Sequence, residues 1–144
     1  MPHSRHSGFT YLETLLVVTI VAVIAGSSAS FFSNSIQSNN LKNSVDMIIT
    51  TFRKAQFYSI SGKRNSSWGC CLIGNSIRLF IGSCASPDFS EDFTLPANIS
   101  VSAFTPVTFS LGRGEPSSSV SITVSSSTES QTLNLNSIGG LAIN

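Results

Sequence analysis

The chain has 144 residues, a net charge of +1, 41% hydrophobic residues and only 10% charged ones. That length suits one helix and one small domain, and so weak a charge balance argues against a surface built for nucleic acid or anionic lipid. No histidine follows His6, which removes the usual base of a hydrolytic triad and a usual zinc ligand, so no enzyme, metal or cofactor is expected.

The first eight residues are polar and basic, with His3, Arg5 and His6, and end at Gly8. An apolar run follows. From Leu15 to Gly26 only Thr19 carries a polar side chain, and Glu13 stands at the edge of the run. A charged side chain at mid-bilayer costs roughly 2.5–3.5 kcal/mol on insertion scales, so a carboxylate in such a segment calls for a partner. Two plainer readings stay open. One is a secretory signal cut near Ser27-Ser28-Ala29. The other is a permanent single-span anchor, which leaves Glu13 unexplained.

The string Gly8-Phe9-Thr10-Tyr11-Leu12-Glu13-Thr14-Leu15-Leu16-Val17-Val18 resembles the start of type IV pilins and type II secretion pseudopilins. The resemblance implies a prepilin leader over 1–8, cleavage between Gly8 and Phe9 by the prepilin peptidase, and N-methylation of Phe9 by the same enzyme. It implies residence in the cytoplasmic (inner) membrane as a single-pass protein with its globular domain outside. Passage into an extracellular pilus or a periplasmic pseudopilus would follow. Cleavage would free an α-amine at Phe9, with an ordinary pKa of roughly 8, that can pair with Glu13 of a neighbouring subunit.

The helical signal continues beyond the apolar run. Ile36, Leu41, Val45, Ile48, Ile49, Phe52, Ala55 and Ile60 recur at spacings of three, four and seven. The spacing predicts one helix over 9–61, roughly 80 Å if unbroken, with 9–30 as the transmembrane or filament-core part and Gly62 as the stop. Gly26-Ser27-Ser28 are poor helix formers within it, and either loosen the helix or are tolerated there.

A β-rich globular domain over 62–144 completes an α+β fold. Trp68–Ile73 and Ile77–Ile81 read as a hairpin across Gly74-Asn75-Ser76. With the turn at Asn75-Ser76, Ile73 would face Arg78. Cys70 would then share the apolar face with Leu72, Ile77, Leu79 and Ile81, while Cys71, Arg78 and Phe80 would share the other. By parity Cys84 continues the second face, so Cys71 and Cys84 are the expected disulfide and Cys70 a core residue. Residues 85–92 read as a loop whose Asp88, Glu91 and Asp92 are solvated. Strands are expected at Phe93–Leu95, Ile99–Phe104, Val107–Leu111, Val120–Val124, Thr132–Leu135 and Leu141–Ile143.

The hairpin after the helix, the Phe-Thr-Leu-Pro segment and the terminal Leu-Asn-Leu-Asn-Ser-Ile-Gly-Gly resemble the GspH/FimT group of bacterial minor pilins and pseudopilins. Some members bind DNA through a terminal Gly-Arg-x-Arg segment. Here Gly139-Gly140-Leu141-Ala142 stands at that place without arginine, so DNA is not an expected partner. The expectation is a structural subunit, a minor pilin, whose partners are other pilin subunits, the peptidase, the inner-membrane assembly platform and, before assembly, the membrane. The alternatives are a type II secretion pseudopilin and a pilus-tip DNA-binding subunit.

Overall fold

The computed structural model describes residues 10–144, without the side chains of 27–34. One α-helix, α1 (Tyr11–Ile60), precedes eight strands. Thr10 caps it: its carbonyl accepts the N–H groups of Glu13 (3.1 Å) and Thr14 (3.2 Å), and its hydroxyl accepts the Glu13 N–H at 3.4 Å. The backbone stays helical through Gly26-Ser27-Ser28. The helix ends at Gly62, whose φ of 65° is left-handed and whose N–H bonds the Ser59 carbonyl at 3.2 Å, a glycine stop of the αL kind.

The chain divides into two compact units, residues 1–35 and 36–144. In the first, α1 is solvent-exposed from Tyr11 to Gly26. Among the described residues no helix is long and apolar enough to cross a membrane. The segment expected to span, 9–30, is described with its side chains only from Thr10 to Gly26, and 16 helical residues rise about 24 Å, short of the roughly 30 Å of a bilayer core.

The second unit packs the rest of α1 against two four-stranded antiparallel sheets. One has the order β3-β2-β1-β5, from β1 (Trp68–Ile73), β2 (Ser76–Gly82), β3 (Pro87–Thr94) and β5 (Val107–Phe109). The other has the order β4-β6-β7-β8, from β4 (Ser100–Val101), β6 (Val120–Ser125), β7 (Ser130–Leu135) and β8 (Leu141–Ile143). The core takes Leu41, Val45, Ile48, Phe52 and Ala55 from the helix, Trp68, Cys70, Ile77, Leu79, Val107 and Phe109 from the first sheet, and Ile122, Val124, Leu133 and Leu135 from the second. Each valine, leucine, isoleucine and phenylalanine among them contributes roughly 1.5–3 kcal/mol by leaving water.

Three expectations are corrected here. The helix stripe runs 41-45-48-52-55-59, so Ser59 is buried where Ile60 was expected, and Ile36 and Ile60 are exposed. Ser59 suits its place because its hydroxyl accepts the Trp68 N–H at 2.9 Å and its carbonyl accepts the Gly112 N–H at 2.9 Å, tying the helix end to both β1 and the turn after β5. The hairpin turns on Gly74-Asn75, pairing Ile73 with Ser76 and Cys71 with Arg78. The pairing moves by two residues, so every side chain keeps its expected face.

The third correction is larger. Residues 87–94 form a strand paired with β2, with a register shift at Ile81/Gly82 that leaves Asp88 without a partner, where a loop was expected over 85–92. Its faces alternate regularly, with Phe89, Glu91 and Phe93 half-buried and Asp88, Ser90, Asp92 and Thr94 exposed. Glu91 and Asp92 disguised the alternation because their charges are neutralised by residues distant in sequence. Lys54 Nζ meets Glu91 Oε2 at 2.7 Å, and Arg78 grips Asp92 with two bonds of 2.7 Å.

Candidate assembly site

Gly8 and Phe9, the expected cleavage pair, lie outside the described residues. Glu13, the third expected site residue, lies in the first turn of α1 and is exposed. Its backbone is held by Thr10, whereas its carboxylate joins no ion pair among the described residues. Thr10-Tyr11-Leu12-Glu13 also has the Thr-x-x-Glu spacing of a capping box, a signal readable in the sequence that the family resemblance overshadowed. A carboxylate at a helix N-terminus is favoured by the helix dipole, which explains why Glu13 is tolerated at the head of an apolar segment.

Around it the helix offers apolar side chains in every direction. Leu12, Leu15, Leu16, Val17, Val18, Ile20 and Val21 are each about half exposed or more. A helix apolar all round is stable only when buried in a larger protein or in lipid. Together, Glu13 and this sleeve leave an exposed apolar surface headed by one carboxylate that joins no ion pair among the described residues.

In the globular unit the Cys71 and Cys84 side chains are joined as a disulfide, with Cα atoms 6.2 Å apart. The bond joins residues 13 positions apart, on the face of β1 away from the core. On that face Phe80, 1% exposed, lies over Gly69; a Cβ on Gly69 would fall 2.7 Å from the Phe80 ring. Cys70 is buried with its thiol directed at the Thr51 carbonyl, 3.5 Å away, and burial pushes that thiol well above its ordinary range. Closing a loop of about 15 residues is worth roughly 3 kcal/mol. Cys71→Ser is therefore expected to lower unfolding stability by about 2–3 kcal/mol in urea titrations. Cys70 in the native chain should resist alkylation until the protein unfolds.

Sequence reasoning did not anticipate the basic–aromatic cluster at the helix end. Lys63 Nζ lies 3.6 Å from the centre of the Tyr58 ring, and Arg64 stacks 4.1 Å over Phe89. Tyr58 and Phe89 flank Trp68 edge-on at 4.8 and 5.6 Å. Arg64 and Asn65 adopt φ of 59° and 51°, and the Lys63 carbonyl accepts the Trp68 Nε1–H at 3.0 Å. The sequence signal is a glycine stop followed by two cations and a tryptophan, while Phe89 falls in the segment that reads as a loop. The cations cover aromatic rings and are not arrayed as a phosphate-binding stripe.

Arg78 holds the Asp92 carboxyl below the usual carboxylate range, chiefly through its hydrogen bonds, which outweigh the opposing effect of burial, with a lesser contribution from its charge. A carboxyl lowered in the folded state stabilises it above the ordinary value, about 3.9, and that stabilisation is lost as pH falls through the folded value. A carboxyl-carbon NMR titration should show Asp92 titrating below its ordinary range, and Arg78→Ala should return it there.

No family model and no curated protein matches the chain. Among solved structures it is similar to the minor pseudopilin EpsH from the Type 2 Secretion System of Vibrio cholerae. The TM-score is 0.55 at 10% identity, over 73% of this chain and 96% of that one. At that identity the likeness is one of fold: a helix packed on antiparallel sheets, in the arrangement of a pseudopilin.

Proposed function

We propose that this chain is a subunit of a type IV pilus-like filament, made as a prepilin, cut between Gly8 and Phe9, N-methylated at Phe9 and assembled through the N-terminal part of α1. The observation that carries the reading is the sleeve of exposed apolar side chains on α1, headed by an unpaired carboxylate, in a chain whose fold is that of a pseudopilin. Before assembly the sleeve would be covered by the inner membrane, with Phe9 extending it at its start. In the filament it would be covered by the same segment of neighbouring subunits. Lipid tails and packed apolar helices are similarly apolar, so the exchange is driven by close packing and by polar contacts. The polar contact here is the Phe9 amine of one subunit against the Glu13 carboxylate of the next, which neutralises two charges that would otherwise be buried unpaired and sets the axial register. The mass of the mature N-terminus tests the reading directly. A chain beginning at N-methyl-Phe9 is expected; one that keeps Met1, or begins beyond Ala25, would sink it.

The second reading, a subunit of a type II secretion pseudopilus, is favoured by the similar solved structure, itself a minor pseudopilin. Deletion of the gene distinguishes the two. Loss of exported proteins from the medium supports a pseudopilus, and loss of surface filaments supports a pilus.

A further inference from the structure

We propose that the outer edge of β3 accepts one extended strand of a partner polypeptide, a strand that alternates apolar with polar residues and carries a cation at the end near Asp46. The register identifies which groups are open. Ile73 and Ser76 close a two-residue turn, so Cys71–Arg78 and Gly69–Phe80 are also hydrogen-bonded pairs, and Ile77, Leu79 and Ile81 turn their backbone groups toward β3. Their partners Phe93, Glu91 and Phe89 are thereby satisfied. The N–H and C=O groups of Ser90 and Asp92 point the other way, and among the described residues no backbone bond reaches them. Both residues are exposed, in an eight-residue strand. Such a row of open groups is a template for pairing.

A second feature lies beside the edge. A depression of about 270 Å³ opens between α1 and β3, with Met47, Thr50, Thr51 and Phe93 in its walls and Asp46 and Lys54 at its sides. A strand added to β3 would direct alternate side chains toward α1, and the one opposite Phe93 would enter this depression. The opening suits an apolar side chain. Charge selects the partner. Glu91 and Asp92 are held by Lys54 and Arg78, whereas Asp46 and Asp88 are exposed and join no ion pair among the described residues. At the Phe93 end of the edge, beside Asp46, the unspent charge is therefore negative, whereas Arg64 lies over Phe89 toward the other end. Pairing with a second copy of β3 would set Asp88, Glu91 and Asp92 against their own counterparts, which like-charge repulsion opposes. A strand bearing lysine or arginine meets no such penalty. The inference does not depend on the filament reading.

The test uses the full-length protein in detergent micelles and a synthetic nine-residue peptide in which threonine alternates with valine and leucine, with a lysine at each end. Binding is expected to slow amide exchange at Ser90 and Asp92 by about tenfold or more, while Phe89, Glu91 and Phe93 are slow already. In the antiparallel pairing proposed, the peptide residues that bond the edge lie opposite Ser90 and Asp92 and share their outer face, so they are the threonines. N-methylation of the threonine amides should abolish binding, and N-methylation of the valine and leucine amides should spare it. Ser90→Pro removes an outward N–H that the fold does not use, a change tolerated on edge strands, and should weaken binding about tenfold or more with the thermal midpoint unchanged. Equal binding of the two N-methylated peptides would overturn the proposal, as would unchanged exchange at Ser90 and Asp92 in about millimolar peptide. A dimer of the native chain that Ser90→Pro abolishes would make the occupant a second copy and overturn the assignment to a basic partner.

Discussion

Glu13→Val is expected to be cut at Gly8–Phe9 like the native chain and yet to be absent from sheared filaments. The peptidase step is expected to depend mainly on Gly8, whereas assembly, on the proposed reading, brings the Phe9 amine of one subunit to the Glu13 carboxylate of another. Removing one member of a buried ion pair costs about 3–5 kcal/mol, because the remaining charge is left without compensation. That corresponds to a loss of a hundredfold or more in the equilibrium of each contact. The capping geometry supplies a control. Thr10 accepts the backbone N–H of Glu13, and a glutamine serves in a capping box as a glutamate does. Glu13→Gln should therefore keep the helix start and still fail to assemble. Filament incorporation of the glutamine variant at the native level would reduce Glu13 to a capping residue. The measurements are the mass of the mature N-terminus and an immunoblot of the sheared fraction.

Trp68→Ala should unfold the globular unit, lowering its stability by about 3–5 kcal/mol, a large part of what a domain of this size possesses. Trp68 is 1% exposed and opens β1, the strand between β2 and β5. Its ring lies between Tyr58 of the helix and Phe89 of β3, and its Nε1–H bonds the Lys63 carbonyl, so it joins the helix end to two sheet strands and to the turn between them. Trp68→Phe keeps most of the apolar contact and loses that part-buried hydrogen bond, and should cost about 0.5–1.5 kcal/mol. Urea unfolding followed by circular dichroism checks both. A tryptophan-to-alanine loss below about 1 kcal/mol would show that the ring cluster is not the joint between helix and sheet.

How far the sequence could be read depended on where each residue finds its partner. The helix was legible from its apolar spacing and its glycine stop, because an α-helix bonds within four residues of itself. The face parity of Cys70 and Cys71 was legible for the same kind of reason, since a strand alternates with period two whatever its exact register. A two-residue displacement of the turn left both cysteines on their expected faces. The strand at 87–94 was not legible. Its inward Glu91 looks like a loop residue until Lys54, 37 positions earlier, is seen beside it. Ser59 likewise looked like the polar neighbour of a core isoleucine. Only the β1 backbone and the turn after β5, arriving at its hydroxyl and carbonyl, make a buried serine the better choice.

The amino-acid order by itself determined the long helix, the apolar run headed by Glu13, the α+β class and the pairing parity of the cysteines, because each rests on local periodicity or on chemistry within a few residues. Tertiary structure alone decided the division into two sheets, the conversion of an acidic stretch into an edge strand and the aromatic joint at Trp68. Those features depend on ion pairs, backbone ladders and ring contacts between residues distant in the chain, which exist only once the helix and both sheets have come together.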